Sequence, residues 1–230
     1  MKRLTVIQHT SAEYLGYLED HFELRNIGFR YVRPFTEGVE VPEPHQLEDG
    51  LVLLGGGPWG AGGARDVPTL RKEVTITRYA LDAGLPILAF GLGAQILSLA
   101  AGGAVEPAPL TFEIGHSLRA DTQALDGWLP ESAPCVIFMR DWPRPPDYAR
   151  VLARDELGRS TVFQIGKRAF GFVAHPAFKA AMAEDLVMEF EEAPDNPGPM
   201  LERLRGMRQQ IQDALSPTVV GLVNACGLMS

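Results

Sequence analysis

Apolar residues along the 230-residue chain fall into two textures: short unbroken runs, and longer stretches where apolar positions recur every three or four residues. The runs at 4–8 (LTVIQ), 29–35 (FRYVRPF), 86–90 (PILAF) and the start of 51–60 (LVLLGGGPWG) predict strands, the last entering a glycine loop. Periodic stretches at 12–26, 67–84 and 92–101 predict helices between them. In the first, Tyr14, Leu15, Leu18, Phe22 and Leu24 share a face and Gly28 ends the element; in the second, Pro68 lies near the start and Gly84 at the C-cap. Strands and helices alternating at this spacing predict a mostly parallel central sheet with helices on both faces.

Past residue 104 the pattern shortens into β-rich segments at 111–120, 135–139, 160–166 and 169–175, parted by turns such as PRPPD at 143–147. Phe178, Met182, Leu186 and Phe190, at i, i+4 spacing, then predict a helix. APDNPGP at 193–199 breaks it before a helical stretch at 200–226, so a C-terminal helical extension over about 193–230 is expected on a single domain spanning 1–230.

Composition adds exclusions. A hydrophobic content of 46% suits one core of substantial size. A formal net charge of −8 without a polybasic run argues against nucleic acid or an anionic membrane surface as partner. Cys135 and Cys226 lie far apart in no metal-ligand spacing, which suits a reducing compartment, and no metal or cofactor is expected. The apolar run in residues 1–10 is too short for a signal peptide, so a cytoplasmic location is expected. Residues 83–105 carry no charge and nearly reach membrane-spanning length, but Pro86, Gly91, Gly93, Gln95, Gly102 and Gly103 interrupt them; a buried strand–turn–helix explains both features.

The glycine motifs are individually weak. Gly55, Gly56 and Gly57 suit any tight turn after a strand, without the Lys-Ser/Thr ending of a phosphate loop. Gly91-Leu92-Gly93 suits a close strand–helix contact equally well. Their order is more informative: strand, GGGP loop, helix, strand, G-x-G elbow, helix, and later a His-Pro after another strand. Both glycine motifs then lie at the carboxyl edge of the sheet, where α/β folds gather ligands. Backbone N–H groups of Gly56, Gly57 and Leu92, with the positive end of a helix, would supply the donors of an oxyanion hole.

With these motifs in this order, the sequence resembles the class I (triad-type) glutamine amidotransferases, and most closely their stand-alone, GMP-synthase-glutaminase-like branch. PILAFGLGAQ (86–95) matches the family pattern P-[IV]-L-G-[IF]-C-L-G-x-Q, and LLGGGPWG (53–60) matches its G-G-P oxyanion loop. FEIGHSL (112–118) matches an E-I-G segment, and FQIGKRAFGFVAHPAF (163–178) the segment ending Q-F-H-P-E. The resemblance covers nearly the whole chain and implies a flavodoxin-like α/β fold.

It also implies a triad in which Cys attacks the glutamine side-chain amide, His takes its proton, and a Glu two residues later orients the ring. Those positions are Gly91, His175 and Ala177, so only the histidine is retained. Without a thiolate no thioester forms, and without the carboxylate the imidazole tautomer loses its anchor. A nucleophile elbow strains a non-glycine residue by about 1–3 kcal/mol; Gly91 takes that geometry at little cost. Cys135 begins a strand far downstream and Ser98 faces packing, so neither is an obvious replacement nucleophile.

Other positions keep two readings. Gln95 matches the family's substrate-side glutamine or caps nearby backbone. Glu113 and His116 approach the substrate through the E-I-G segment or form a surface turn, and Trp59 covers the pocket or packs on it. Arg140-Asp141-Trp142 replaces a frequent His-Gly-Asp of the family, and the acidic stretch 189–195 reads as a solvated helix end. The favoured expectation is a protein that has lost glutaminase activity and binds a partner, such as a synthetase-type protein, or a small carboxylate or amide ligand. The alternatives are an enzyme pairing His175 with His116, Glu113 or Asp141 for acid–base chemistry, and a glutaminase with a displaced nucleophile.

Overall fold

In the computed structural model, which describes residues 1–229, the apolar runs become strands, those at 4–7, 50–53 and 87–90 buried on both faces and the edge strand at 28–32 only partly buried. Strands β1 (Arg3–Ile7), β2 (Gly28–Val32), β3 (Gly50–Leu53) and β4 (Ile87–Phe90) alternate with α1 (Leu18–Glu23), α2 (Leu70–Asp82) and α3 (Leu92–Ala100). Side chains alternate across the pleat. Leu51, Leu53, Ile87 and Ala89 pack with Ile76 and Ala80 of α2 and Ile96 and Leu97 of α3, while Val52, Leu88 and Phe90 face the other layer. Burial on both sides explains why these strands read as continuous apolar runs.

The later segments form β5 (Ala104–Glu106), β6 (Thr111–Arg119), β7 (Ser132–Met139), β8 (Trp142–Arg144), β9 (Arg150–Arg154), β10 (Ser160–Ile165) and β11 (Ala169–Phe172). Nine strands make one sheet in the order β2-β1-β3-β4-β11-β10-β9-β6-β7, and β5 pairs with β8 separately. Pairing is parallel from β2 to β11 and antiparallel from β11 to β7. The fold is α/β, with its parallel half built from the strand–helix alternation and its antiparallel half from the short β-rich segments.

The chain closes with α4 (Ala180–Glu189), α5 (Gly198–Gly206) and α6 (Arg208–Cys226). Leu215, Val219, Leu222 and Val223 of α6 pack with Leu4, Leu88 and Phe170, so this helix covers the sheet face opposite α2 and α3. Among the described residues, no helix is long and apolar enough to cross a membrane.

The helix expected over 12–26 is shorter than its periodicity implies, and α1 starts only at Leu18. Its would-be first turns are held by tertiary bonds: the Leu15 N–H donates to the Tyr31 hydroxyl at 2.9 Å and the Tyr17 N–H to the Ala177 carbonyl at 3.3 Å. Gly16 between them has φ +65°, outside the helical region. Residues 10–17 therefore form an irregular connection at the carboxyl edge of the sheet.

Candidate functional site

The turn from β4 into α3 places Gly91 at φ +55°, ψ −115°, a conformation L side chains rarely adopt. Its N–H donates to the Phe172 carbonyl at the end of β11 (2.9 Å), and its carbonyl accepts from the Ala94 N–H (3.0 Å). Gly93 follows because α3 crosses β3 too closely for a side chain: a Cβ there would lie 2.3 Å from the Leu53 carbonyl oxygen. At Gly91 itself a Cβ would lie no nearer than 3.4 Å to Gly55 Cα, an ordinary contact. The elbow has room for the first atom of a side chain and carries none.

The loop after β3 meets this elbow. Gly56 rests against the Leu92 side chain, and Leu186 and Phe190 of the α4 region lie on Gly57. The Gly57 N–H, one of the expected oxyanion donors, is already bonded: it donates to Glu13 Oε2 at 2.5 Å. Glu13 is 3% exposed, and its carboxyl group lies so close to Gly55 that a Cβ there would fall 1.9 Å from Oε1. Burial pushes the Glu13 carboxyl up to about 7, partly offset by the Gly57 hydrogen bond and the His9 charge.

His9 extends the cluster beneath the loop. Its Nδ1 lies 3.1 Å from the Gly55 carbonyl oxygen and its Nε2 2.7 Å from Glu73 Oε2; Glu73 Oε1 accepts from the Thr69 hydroxyl at 2.5 Å. A carbonyl only accepts, so Nδ1 carries a proton. Desolvation pushes the His9 pKa down, but the Glu73 charge and hydrogen bond outweigh it and the net shift is upward. A hydrogen-bonded His–Glu pair is therefore buried against the GGGP loop.

His175, after β11, is equally buried but differently served. Its Nε2 donates to the Tyr14 carbonyl at 2.9 Å, and its Nδ1 accepts from the Ala177 N–H at 3.1 Å. Its ring stacks on Phe90 with centroids 4.9 Å apart. Burial lowers its pKa to about 4, so it is neutral near pH 7 with both nitrogens occupied. Ala177 has no exposed surface, and the irregular segment covers it: a Cβ on Gly16 would lie 2.2 Å from the Ala177 carbonyl oxygen.

Gln95 is fully buried; its Nε2 donates to the Arg140 carbonyl at 2.6 Å, and its Oε1 has no partner. Glu113 and His116 lie on β6, three strands from β11 in the sheet, and line a groove of about 300 Å³ with Asp155, Glu156 and Arg159. Glu113 pairs with Arg159 at 3.5 Å and His116 approaches Glu156 at 3.8 Å. Asp141 is spent on the backbone, accepting from Gly62 N–H at 2.9 Å and Ala108 N–H at 3.0 Å. Gly56, Gly57, Gly91 and Leu92 thus come together, while His175 is bonded to backbone groups and Glu113 and His116 belong to a separate groove. Cys135 and Cys226 are buried with thiols pushed up to about 12 by desolvation, far from thiolate character.

Above the loop, Arg65 lies 4.8 Å over the Trp59 ring and pairs with Glu192 at 2.5 Å; Arg140 pairs with the same carboxylate and donates to the Pro58 carbonyl at 3.1 Å. Ser11 donates to Glu189 at 2.8 Å. The acidic stretch lies, as expected, at a solvated helix end, with Glu189, Glu191 and Asp195 exposed; Ser11 bonds Glu189, and Arg65 and Arg140 tie Glu192 to the loop.

Sequence reasoning missed His9, Glu13 and Glu73. The available signal was the polar run QHTSAE immediately after the first strand, at the edge where α/β sheets place functional groups.

No family model and no curated protein matches the chain. Solved structures do. A glutamine amidotransferase from Thermotoga maritima is 22% identical, with 98% of this chain and 98% of that chain covered and a TM-score of 0.79. A glutamine amidotransferase from Methylobacillus flagellatus is 20% identical over 98% of this chain and 95% of that one, with a TM-score of 0.81. A Thermoplasma acidophilum protein assigned as a GMP synthase subunit is 19% identical over 96% of this chain and 97% of that one, with a TM-score of 0.55. The chain has the fold of these class I glutamine amidotransferases.

Proposed function

We propose that this chain is a glutamine amidotransferase-fold protein that has lost glutaminase activity and acts by binding a protein partner. The observation that carries the reading is the elbow: Gly91 holds nucleophile-elbow geometry and offers no atom that can attack an amide. The surroundings support it. His175 has both ring nitrogens engaged by backbone, Ala177 cannot orient it, and the two thiols are buried far from thiolate form. These bonds also speak against new acid–base chemistry through His175, because neither nitrogen meets a carboxylate.

Protein binding is favoured over a free carboxylate or amide ligand because Glu13 already takes the Gly57 donor. A synthetase-type partner fits the fold comparison, in which one neighbour is named for GMP synthase. The test is ammonia release from glutamine by the purified chain. Release at the uncatalysed background is expected; turnover above it overturns the reading.

A further inference from the structure

Of the three buried ionisable groups beneath the GGGP loop, the reading above uses only the Glu13 bond to Gly57. The three form one cluster. His9 and Glu13 come from the segment that follows β1, and Glu73 comes from α2. His9 bridges Glu73 and the Gly55 carbonyl, while Glu13 bonds the Gly57 N–H and lies on Gly55, so two residues of the loop are gripped from one side. The outward neighbour is Glu189 at the end of α4, held by Ser11. Glycine at 55 makes the grip sterically possible, since any Cβ would occupy the carboxyl oxygen.

We propose that Glu13 is an internal ligand of the GGGP loop: its carboxyl group fills, from within the chain, a small-carboxylate site that would otherwise be open at the Gly57 N–H. The site has the elements that receive a carboxyl group: a backbone donor, a glycine allowing close approach and a buried histidine nearby. Occupancy is proton-dependent. Burial and the Glu189 charge outside favour the neutral Glu13 carboxyl, against the Gly57 hydrogen bond and His9. The raised Glu13 pKa, about 7, has this origin in burial and like charge.

This inference rests on the reading of the pocket as non-catalytic, but its test reads stability and anion binding, so the two fail separately. The group excised in Glu13→Ala is an acetic acid or acetate in size. At pH 5 and constant ionic strength, where acetic acid and acetate are both present, acetate should raise the thermal midpoint of Glu13→Ala saturably, with chloride and formate weaker, and should act on the wild type no better than chloride. Equal action of acetate and chloride on Glu13→Ala overturns the proposal. Glu13→Gln keeps the shape and removes the titration, and decides the matter if the alanine variant does not fold. Its unfolding constant should diverge from the wild type's, in the direction of a more stable variant, by up to about tenfold per pH unit between the unfolded and folded carboxyl pKa values. That window runs from 4.5 to about 7. Parallel pH curves for the two proteins overturn the proposal.

Discussion

Two histidines, each 5% exposed, stand at the carboxyl edge of the sheet, and burial acts on them with opposite results. His175 meets only backbone groups and an aromatic ring, so desolvation prevails and its pKa falls to about 4. His9 meets the Glu73 carboxylate at 2.7 Å, which reverses the same desolvation and raises its pKa. The histidine in the triad position lacks the carboxylate that would make it a base, while a histidine outside the triad pattern has one. A His–Glu pair persists at this edge, but it is enclosed under the loop and serves to hold it.

The pH dependences follow with opposite signs. The folded pKa of His175 is depressed, so its stability contribution is whole above 6.5 and is lost as pH falls toward about 4. The folded pKa of His9 is raised, so its contribution is whole below 6.5 and is lost as pH rises through the raised value. Glu13 likewise loses stability with rising pH, between 4.5 and about 7.

The largest expected effect comes from breaking the buried pair. Glu73→Ala strands the His9 charge and the Thr69 hydroxyl, and should cost about 3–5 kcal/mol in urea unfolding near neutral pH. A loss below about 1 kcal/mol would mean that the pair is not buried as described. His175→Phe sharpens the contrast from the other side. It keeps the ring against Phe90 and unpairs the Tyr14 carbonyl and Ala177 N–H, costing about 1–3 kcal/mol at pH 7.5. At pH 4.5 that cost should shrink, because the wild type then bears the strain of its own buried imidazole; an equal or larger cost at pH 4.5 would contradict the assigned neutral state. A cost of similar size, with no gain in activity, should come from returning the thiol. Gly91→Cys has room for its Cβ, should lose about 1–3 kcal/mol to backbone strain, and should leave ammonia release at background because His175 is already bonded on both nitrogens. Appreciable turnover in that variant would show that the ring is free to act.

Much of this contrast was legible in the sequence, and the missing part has a physical reason. The strands at 4–8, 51–54 and 86–90 are continuous apolar runs because both sheet faces are covered there, and the elbow is marked by glycines that geometry requires. Gly91, His175 and Ala177 align with a family pattern, and the proposed loss of two triad members rests on that alignment. The His9–Glu73 pair could not, since its members lie 64 residues apart. Glu13 sits in a stretch whose apolar spacing reads as helix, and only the bonds to Tyr31 and Ala177 unwind it. β9 escaped notice because Arg150 and Arg154 end a five-residue strand with charge.

The central claim is that no group at the elbow attacks an amide. Its most direct test is the intact mass of the wild-type chain after incubation with a glutamine-analogue alkylating agent. The mass should be unchanged, since Gly91 offers no nucleophile and the Cys135 and Cys226 thiols are buried with pKa values pushed up to about 12. A stoichiometric adduct that forms only without competing glutamine would contradict the account.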